Sequence, residues 1–387
     1  MPTPEQLEIQ TLAHEFAAGE LRPYTYEWDA SRSLGDDVFG KLAELGFLGM
    51  LVDEEHGGLD FDLVTYLLVL EELAWGDPAV ALAVSIHSGP VSGLLRWYGS
   101  EEQKGRWLPE LASGNTLGAF ALSEAGAGSD PGALRTAATA DGDGWRLDGE
   151  KKWVTNGVRA GLVLTFARTG EDEISTFLVP GEAGGLEPGT RETTMGFRAS
   201  DTVTLCLEGV QLDAEGLLGE RGAGLRYALA ALDLGRIGVA VQASGVGRAS
   251  MEHAARYALE REQFGREIAR FGAIQAKLAE MATRVSAGRA LAHEAAGVME
   301  ALQDTATGVR TGVDGVTARA AMAKLVASEA ATWAADEAVQ IYGGYGYMRH
   351  YPVEKLLRDA KGYEIFEGTN EILRQVIARE VLRAAGD

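Results

Sequence analysis

The spacing of apolar residues changes twice along this chain of 387 residues, and each change separates one kind of fold from another. In the first third, apolar side chains recur at the period of an amphipathic helix, as at Phe39, Leu42 and Leu45. In the middle third, short runs rich in β-branched residues replace them, and the helical period then returns in longer stretches. The pattern predicts a mainly α protein of the α+β class, with a β domain at 118–222 between helical domains at 1–117 and 223–387.

Turn residues and run lengths refine this division. Asp-Gly pairs at 141–144 and 148–149 predict hairpin turns, and strands are predicted at 145–147, 152–155, 163–166, 174–179 and 202–207. In the last third, Ala-rich helices are predicted at 225–258, 271–302 and 316–342. Helices of this length typically pack as an antiparallel four-helix bundle, and their remaining apolar faces favour a symmetric oligomer.

The charge balance argues against several classes of partner. There are 57 Asp and Glu against 35 Lys and Arg, so the formal net charge is -22. An acidic chain without a basic stripe is repelled by nucleic acid and by anionic membrane surfaces. No apolar run is expected to reach the ~18 residues of a membrane span, and the N-terminus lacks the pattern of a secretion signal. With Cys206 as the only cysteine, we expect a cytoplasmic protein without disulfides.

Common catalytic motifs are absent from the sequence. The six histidines never occur at HxxxH spacing, so no metal site is predicted. There is no GxSxG nucleophile elbow, no GxxxxGK[ST] loop and no GxGxxG fingerprint. These absences argue against metallohydrolase, serine hydrolase, P-loop and Rossmann functions.

Four clusters remain, and each has two interpretations. Residues 120–130 combine a strand with Gly, Ser and Asp, which form either an ordinary turn or a backbone cradle for an anion or a flavin edge. Trp153 either fills a core or covers a flat ring, with Thr155 donating to its edge. Arg261 matches pyrophosphate geometry, while Gly265 fits an αL helix cap. Glu367 is either a base or an acid preceding a helix N-cap at Thr369.

Taken together and in order, five segments resemble the acyl-CoA dehydrogenase family, over essentially the whole chain. They are 120–130 (FALSEAGAGSD), 152–157 (KWVTNG), 257–265 (YALEREQFG), 340–347 (QIYGGYGY) and 365–372 (IFEGTNEI). The resemblance implies an N-terminal helical domain, a central β-barrel domain and a C-terminal four-helix bundle domain, assembled as a homotetramer that is a dimer of dimers. It also implies bound FAD, an acyl-CoA substrate oxidised to its trans-2-enoyl-CoA, electron-transferring flavoprotein as acceptor, and a role in fatty acid or amino acid catabolism.

The resemblance also implies roles for individual residues. Glu367 corresponds to the base that removes the α proton while the β hydrogen leaves as hydride to flavin N5, and burial raises the pKa of such a carboxyl toward a useful range. The implied cofactor contacts are Phe120, Leu122, Ser123, Ser129, Trp153, Thr155, Arg261, Phe264, Gln340, Gly343, Gly344, Thr369 and Glu371. The implied substrate contacts are Ser129, Asp233, Arg236 and Gly368, with Asp233 and Arg236 at the CoA end.

Two positions depart from the family pattern. Gly235 stands where the isovaleryl and long-chain branches carry their base, which assigns the base here to Glu367. Gly272 stands where a Gln commonly contacts the adenine region of FAD, so flavin affinity is expected to differ. The alternatives are a relative of the same fold with oxidase, nitroalkane-oxidising or hydroxylase chemistry, or a non-catalytic flavoprotein. Glu367 with Asp233 and Arg236 disfavours the first, and the acidic charge disfavours a DNA-associated form of the second.

Overall fold

The computed structural model describes residues 2–35, 37–303 and 315–386, and its N-terminal part is helical. Ser100 and Gln103 form a reciprocal capping box at the start of one of these helices, where the sequence predicts a helix start. Residues His87–Val91 continue the chain as a π-helical turn between two others. The helices are α1 (Pro4–Phe16), α2 (Thr25–Ser31), α3 (Val38–Glu44), α4 (Leu63–Gly76), α5 (Pro78–Ile86), α6 (Ser92–Tyr98) and α7 (Glu101–Ala112).

The middle part is a mixed eight-stranded sheet. Its strands are β1 (Leu117–Ala121), β2 (Ala137–Asp141), β3 (Gly144–Val154), β4 (Ala160–Arg168), β5 (Ile174–Pro180), β6 (Leu186–Arg191), β7 (Val203–Leu212) and β8 (Leu217–Leu218). The order is β6-β7-β3-β2-β4-β5-β8, and β1 pairs in parallel with β4. Among the described residues the pairing is an open path, since β6 and β8 do not pair with each other.

The sheet curls around one apolar interior. Residues from seven strands, β1 to β7, contribute to a single buried cluster, and the rings of Trp145 on β3 and Phe177 on β5 meet at 5.4 Å. The opposite face of β4, with Leu162, Leu164 and Phe166, packs against α6 and α7. The two faces are apolar for different reasons, because one fills the sheet interior and the other joins the sheet to the N-terminal helices.

The C-terminal part is a bundle of long helices. It contains α8 (Gly224–Glu260), β9 (Glu262–Gln263), β10 (Arg266–Glu267), α9 (Gly272–Gln303), α10 (Val316–Tyr342), α11 (Pro352–Tyr363) and α12 (Asn370–Gly386). Helices α8, α9 and α10 pack on one another, α12 packs on α10, and α4 packs on α8. Small residues such as Gly247 and Gly288 let these helices approach closely. The predicted fold class and the three long helices are confirmed.

Two predicted turns were wrong. Gly265 is not a helix cap, because α8 ends at Glu260 and the β9-β10 hairpin follows. Phe264 and Gly265 form the two-residue loop of this hairpin, and their φ angles of 53° and 76° are those of a type I′ turn. Asp148 and Gly149 lie inside β3, where they pair with Glu208 and Leu207 of β7 instead of forming a hairpin turn. The extra residue of the adjacent bulge is Gly209 on β7, with a φ of 66°.

The expectation that no segment is long and apolar enough to span a membrane also needs correction. Among the described residues, Pro78–Tyr98 and Gly224–Glu260 meet that length and composition. In their most apolar windows, 94% and 89% of the residues are buried inside the protein. Burial in the interior of the protein therefore accounts for their apolar character.

Candidate active site

Glu367 lies in a tight turn between α11 and α12. The chain leaves α11 through hydrogen bonds from Ile365 N and Phe366 N to Gly362 O, and the Phe366 ring packs 5.4 Å from that of Phe197. Glu367 then adopts a φ of 55°, a left-handed conformation that is uncommon for a residue with a side chain. Such backbone conformations persist where the surrounding structure enforces them, and they cluster at functional sites.

The Glu367 carboxyl group rests on α8 at Gly235. A β-carbon at position 235 would lie 2.9 Å from Oε2 and 3.0 Å from Cδ of Glu367, closer than real β-carbons approach other atoms. The glycine therefore creates the space that the carboxyl group occupies. A side chain at 235 and the present position of Glu367 exclude each other.

The surroundings of Glu367 change its acidity. Its Oε2 atom is buried, and no donor among the described residues lies within hydrogen-bonding distance of it. Burial raises the pKa of Glu367 to about 7, although the charges of Arg236 and Lys324 act in the opposite direction. A carboxyl group with a pKa near neutrality and a free oxygen can accept a proton from a ligand.

Two cations hold the backbone of this turn. Arg236 Nε on α8 donates to Glu367 O at 3.3 Å, and Lys324 Nζ on α10 donates to the next carbonyl, Gly368 O, at 2.7 Å. Thr369 Oγ1 accepts from Ile372 N at 3.4 Å, which confirms Thr369 as the N-cap of α12. Glu371 follows in the first turn of that helix, where it is exposed.

Asp233 and Arg236 are buried on α8, next to the Glu367 turn. Arg236 donates to Asp233 Oδ1 at 2.8 Å, and Thr317 Oγ1 donates to Asp233 Oδ2 at 2.5 Å. Burial raises the pKa of Asp233, while Arg236 and Thr317 oppose this effect. Arg236 therefore contacts the Glu367 turn directly, and Asp233 acts on it through Arg236. Their contact with the CoA end of a substrate stays a prediction.

The segments around Ser123 and Trp153 are joined by a backbone hydrogen bond. Lys152 N donates to Ser123 O at 2.9 Å, so the end of β1 lies beside the end of β3. A register shift between Lys151 and Val154 turns Trp153 out of the ladder, with φ of 58° and 56% exposure. Among the described residues no aromatic ring stacks on its indole. An exposed indole next to partly exposed Thr155 can cover a planar ligand.

Other predicted contacts in this region differ in accessibility. Leu122 is buried, and Phe120 packs its ring 5.0 Å from Phe166, so both side chains are committed to the core. Ser129 is exposed, and the glycines that precede it at 126 and 128 have open space beside them. The backbone groups of Phe120 and Leu122 and the hydroxyl of Ser129 are therefore the atoms that can contact a ligand.

Glu124 shapes the glycine-rich loop. Its carboxylate accepts hydrogen bonds from Arg135 N, Thr136 N and Lys151 Nζ at 2.6, 2.9 and 2.7 Å. Burial raises the pKa of Glu124, but these hydrogen bonds outweigh it and hold the pKa below its usual value. A buried ion pair between Glu124 and Lys151 thus holds the loop in place, and the sequence analysis did not identify it.

A second region lies at the far ends of α8 and α10. A cavity of about 800 Å³ is lined by Arg261, Phe264, Gly343, Gly344 and other, mostly apolar side chains. Gln340 is exposed one turn earlier on α10 and does not line this cavity. Phe264, on the hairpin tip, is 93% exposed. Large apolar side chains in such positions mark ligand or protein contacts.

The helices separate this cavity from the Glu367 turn. From Lys324 to the end of α10 at Tyr342, the helix rises about 27 Å, at ~1.5 Å per residue. From Arg236 to the end of α8 at Glu260, the rise is roughly 36 Å. The predicted cofactor contacts thus lie in three places in one chain: near β1 and β3, at or next to this distant cavity, and at Thr369 and Glu371 beside the Glu367 turn.

Several residues in these contacts were missed by the sequence analysis. Asn156 is buried and donates to Ala83 O and Gly118 O at 3.0 and 3.1 Å, which ties the Trp153 segment to α5 and β1. Lys324 was missed because lysine in an Ala-rich helix usually faces solvent. Its spacing from Ala320, Ala327 and Ala331, all buried, was the available signal.

Three family models match the chain in sequence order. They are described as the acyl-CoA dehydrogenase N-terminal domain, matched by residues 3–115, the middle domain, by 119–210, and the C-terminal domain, by 222–382.

Curated relatives match over nearly the full length. An acyl-CoA dehydrogenase of Bacillus subtilis (strain 168) is 41% identical over 384 residues, which are 98% of this chain and 98% of the relative. The mitochondrial short-chain specific acyl-CoA dehydrogenase of Rattus norvegicus is 40% identical, over 99% of this chain and 91% of the relative.

Solved structures have the same fold. Butyryl-CoA dehydrogenase from Megasphaera elsdenii superposes with a TM-score of 0.93 at 36% identity, and 99% of each chain is covered. An acyl-CoA dehydrogenase from Bacillus anthracis, complexed with FAD, has a TM-score of 0.92 at 33% identity, over 99% of this chain and 67% of the other. A chain in a structure described as the electron transferring flavoprotein of Acidaminococcus fermentans has a TM-score of 0.93 at 37% identity, over 99% of each chain.

Proposed function

Because this chain belongs to the acyl-CoA dehydrogenase family, we propose that it uses FAD to oxidise an acyl-CoA thioester to the trans-2-enoyl-CoA, with Glu367 as the base. The observation that carries this proposal is the Glu367 carboxyl group. It has a buried oxygen without a donor among the described residues and a pKa raised by burial to about 7. Such a group is suited to removing a weakly acidic proton.

The residues near β1 and β3 fit a flavin. The Trp153 indole, on which no ring of the described residues stacks, forms a surface for a planar, polar-edged group together with the partly exposed Ser123 and Thr155 and the open glycine loop. We assign Phe120, Leu122, Ser123, Ser129, Trp153 and Thr155 to this part of the cofactor, the first two through their backbones. When bound, FAD supplies the acceptor for the β hydride.

The chain's own part in the reaction centres on the Glu367 turn. Glu367 takes the α proton into its carboxylate, and Gly235 leaves room for that group beside the substrate. The N–H of Glu367 is assigned to the thioester oxygen, where charge develops as the proton leaves. Arg236 and Lys324 hold the two carbonyls of the turn, which keeps the base and this N–H in one arrangement.

The distant cavity is assigned to the ADP part of a flavin held by another subunit. Arg261 supplies a guanidinium for phosphate, and Phe264, Gly343 and Gly344 line the same space. The rise of α8 and α10 separates this cavity from Glu367. A flavin shared between subunits therefore supports a homotetramer built as a dimer of dimers, with Gln340, Thr369 and Glu371 at its cofactor contacts.

A short straight acyl chain is the proposed substrate. Behind Glu367, a β-carbon at Gly89 would lie 3.3 Å from Tyr66 Oη, and one at Gly93 would lie 3.4 Å from Leu234 Cδ2. Tyr66 and Leu234 are buried and fill the space between α4, α8 and the π-helical turn. The names of the rat and Megasphaera relatives agree with this choice. Each methylene that does not fit costs ~1–3 kcal/mol.

The test is anaerobic mixing of the FAD-loaded protein with butyryl-CoA and with octanoyl-CoA, followed by product analysis. We expect bleaching of the flavin, formation of the trans-2-enoyl-CoA and a higher kcat/KM for butyryl-CoA. A flavin that neither substrate bleaches would refute the proposed reaction. A preference for octanoyl-CoA would refute only the assignment of chain length.

The electron acceptor is proposed to be electron-transferring flavoprotein in a cytoplasmic catabolic pathway. The second candidate, oxidase chemistry in the same fold, predicts that oxygen reoxidises the reduced protein rapidly with product bound. Slow reoxidation by oxygen and rapid reoxidation by electron-transferring flavoprotein are expected. We also propose domain limits of 1–117, 118–222 and 223–387, which truncated chains assayed for this activity would test.

A further inference from the structure

Lys324 is a fully buried lysine that makes no ion pair with a carboxylate in the described part of the chain. Three lysines are buried in the described part of the chain, and two of them have ion pairs within 4 Å. Lys151 pairs with Glu124 at 2.7 Å, and Lys355 pairs with Asp359 at 2.8 Å. Lys324 instead donates to a backbone carbonyl and an amide oxygen. Burying a lysine without a directly paired carboxylate is unfavourable, so its position calls for a specific function.

The contacts of Lys324 converge on the Glu367 turn. Its Nζ lies 2.7 Å from Gly368 O and 3.0 Å from Asn370 Oδ1, and Asn370 is the first residue of α12. Ser328, one turn further along α10, donates to the same Oδ1 at 3.2 Å. One face of α10 thereby holds both the turn and the start of the helix that follows it.

Arg236 and Lys324 hold consecutive carbonyls from two different helices. Arg236 reaches Glu367 O from α8, and Lys324 reaches Gly368 O from α10. Glu367 has a φ of 55° and Gly368 has a φ of 94°, so two successive residues are in left-handed conformations. Removing either donor releases one side of a strained segment.

The charges facing Lys324 come from three segments. They belong to Arg236 on α8, to Glu364 and Glu367 in the turn, and to Glu371 on α12. Burial lowers the pKa of Lys324 to about 7, and Glu367 opposes this effect. In return, the positive charge of Lys324 lowers the pKa of Glu367. Tyr66 on α4 also faces Glu367, but burial raises its pKa, so it remains neutral.

We propose that Lys324 is a positioning residue, which holds the Glu367 turn through Gly368 O and favours the carboxylate form of Glu367 by its charge. The inference rests on the proposed role of Glu367 as the base. Without Lys324, the turn loses a donor and the carboxylate loses a neighbouring cation. Both effects slow removal of the α proton, and the second also moves its pH dependence upward.

The test measures proton removal apart from flavin reduction. The FAD-loaded protein is incubated in deuterated buffer with 3-thiabutyryl-CoA, in which sulfur replaces the β carbon, so that there is no β hydride to lose. Exchange of the α hydrogens is followed across a pH series for the wild type, Lys324→Met and Lys324→Gln. Gln keeps an amide donor of similar size, so it provides a folded variant if Met impairs folding. Lys277→Met is the control, since it removes an ion pair to Glu337 elsewhere on α10.

We expect Lys324→Met to lower the exchange rate at neutral pH by about 10- to 100-fold. The pH midpoint should rise in both Lys324 variants, while FAD content stays at the wild-type value. Lys277→Met should follow the wild-type curve. Wild-type rates and midpoints in both Lys324 variants would overturn the inference. A wild type that neither exchanges this thioester nor is bleached by butyryl-CoA would instead refute the proposed function.

Discussion

Gly235 shows how one missing side chain sets the position of the proposed base. Its α-carbon faces the Glu367 carboxyl group at a distance that leaves no room for a β-carbon. The sequence analysis assigned the base to Glu367 because position 235 carries no acid. The packing supplies a physical reason, since a side chain at 235 would displace Glu367.

Gly235→Ala should therefore impair catalysis while the protein still binds FAD. The added methyl group shifts the carboxyl group, and a displacement of this size lowers the rate of flavin reduction by about 10- to 100-fold. Gly297→Ala on α9 is the matched control, because nothing lies within 4 Å of a β-carbon there. Stopped-flow reduction by butyryl-CoA compares the two. Equal rates for both variants would show that the contact is unimportant.

The raised pKa of Glu367 leads to a prediction for pH dependence. The base must be ionised, and the pKa is about 7, so the rate of flavin reduction should rise as pH increases through neutrality. Below that value the carboxyl group is protonated, and the rate should fall about tenfold per pH unit. This rate is measured at each pH by rapid anaerobic reduction of the flavin at constant FAD content. A flat profile from pH 5 to about pH 9 would contradict the burial of the group.

Sequence reasoning was most effective for residues within motifs and least effective for the residues that hold those motifs in place through hydrogen bonds. Glu367, Thr369 and Arg236 were identified through the motifs that resemble the family. Lys324, Asn370 and Asn156 were not, because their importance depends on which carbonyl each one meets across the fold. That information lies in the packing of separate elements and has no local signature.

At the scale of elements, helix α11 shows how buried charge joins the domains. Lys355 reaches Asp77 Oδ2 at 3.1 Å and Asp359 Oδ2 at 2.8 Å. Asp77 caps α5 through Ala79 N, and Asp359 accepts from Phe197 N at 2.6 Å. Three parts of the chain therefore meet at one buried ammonium group. Its ion pairs raise the pKa of Lys355 despite the opposing effect of burial.

Lys355→Met should destabilise the protein strongly, because two buried carboxylates would lose their cation. Breaking a buried pair in this way costs about 3–5 kcal/mol. Lys361→Met on the same helix is the control, since it removes an exposed pair with Glu364 and should cost less than about 1 kcal/mol. The midpoint of urea unfolding compares the variants. Similar midpoints for both would show that the buried pair contributes little.

Helices were easier to predict than short strands and turns. The boundaries of α8, α9 and α10 follow from long periodic runs, which local pattern determines. The Asp-Gly pair at 148–149 has the composition of a turn, but pairing with β7 on both sides keeps it inside β3. Gly265 fits a cap or a type I′ turn equally well by composition. The pairing of β9 with β10 decided between them.

At the scale of the whole molecule, the exposed hairpin tip is the main sign of assembly. Phe264 is 93% exposed beside the distant cavity, and Tyr347 nearby is 85% exposed. Apolar side chains this exposed are unfavourable in water unless a partner covers them. The apolar faces of the long helices predicted only that a symmetric oligomer was favoured, and the family resemblance implied a homotetramer. We propose that the tetramer depends on this exposed surface.

Phe264→Asp should weaken the tetramer and reduce its FAD content together, because the proposed cofactor site spans two subunits. Leu7→Asp, which changes another exposed apolar residue, should leave both unchanged. Size-exclusion chromatography with light scattering and the flavin-to-protein ratio provide the two measurements. A Phe264→Asp tetramer with full FAD would contradict the shared site.

The most direct test of the account is the anaerobic reaction of Glu367→Gln with butyryl-CoA. Glutamine keeps the size of the side chain but cannot take up the α proton as a carboxylate does. We predict that the variant binds FAD and butyryl-CoA as the wild type does, and that its flavin is not bleached while that of the wild type is. Bleaching of Glu367→Gln at the wild-type rate would contradict the assignment of Glu367 as the base.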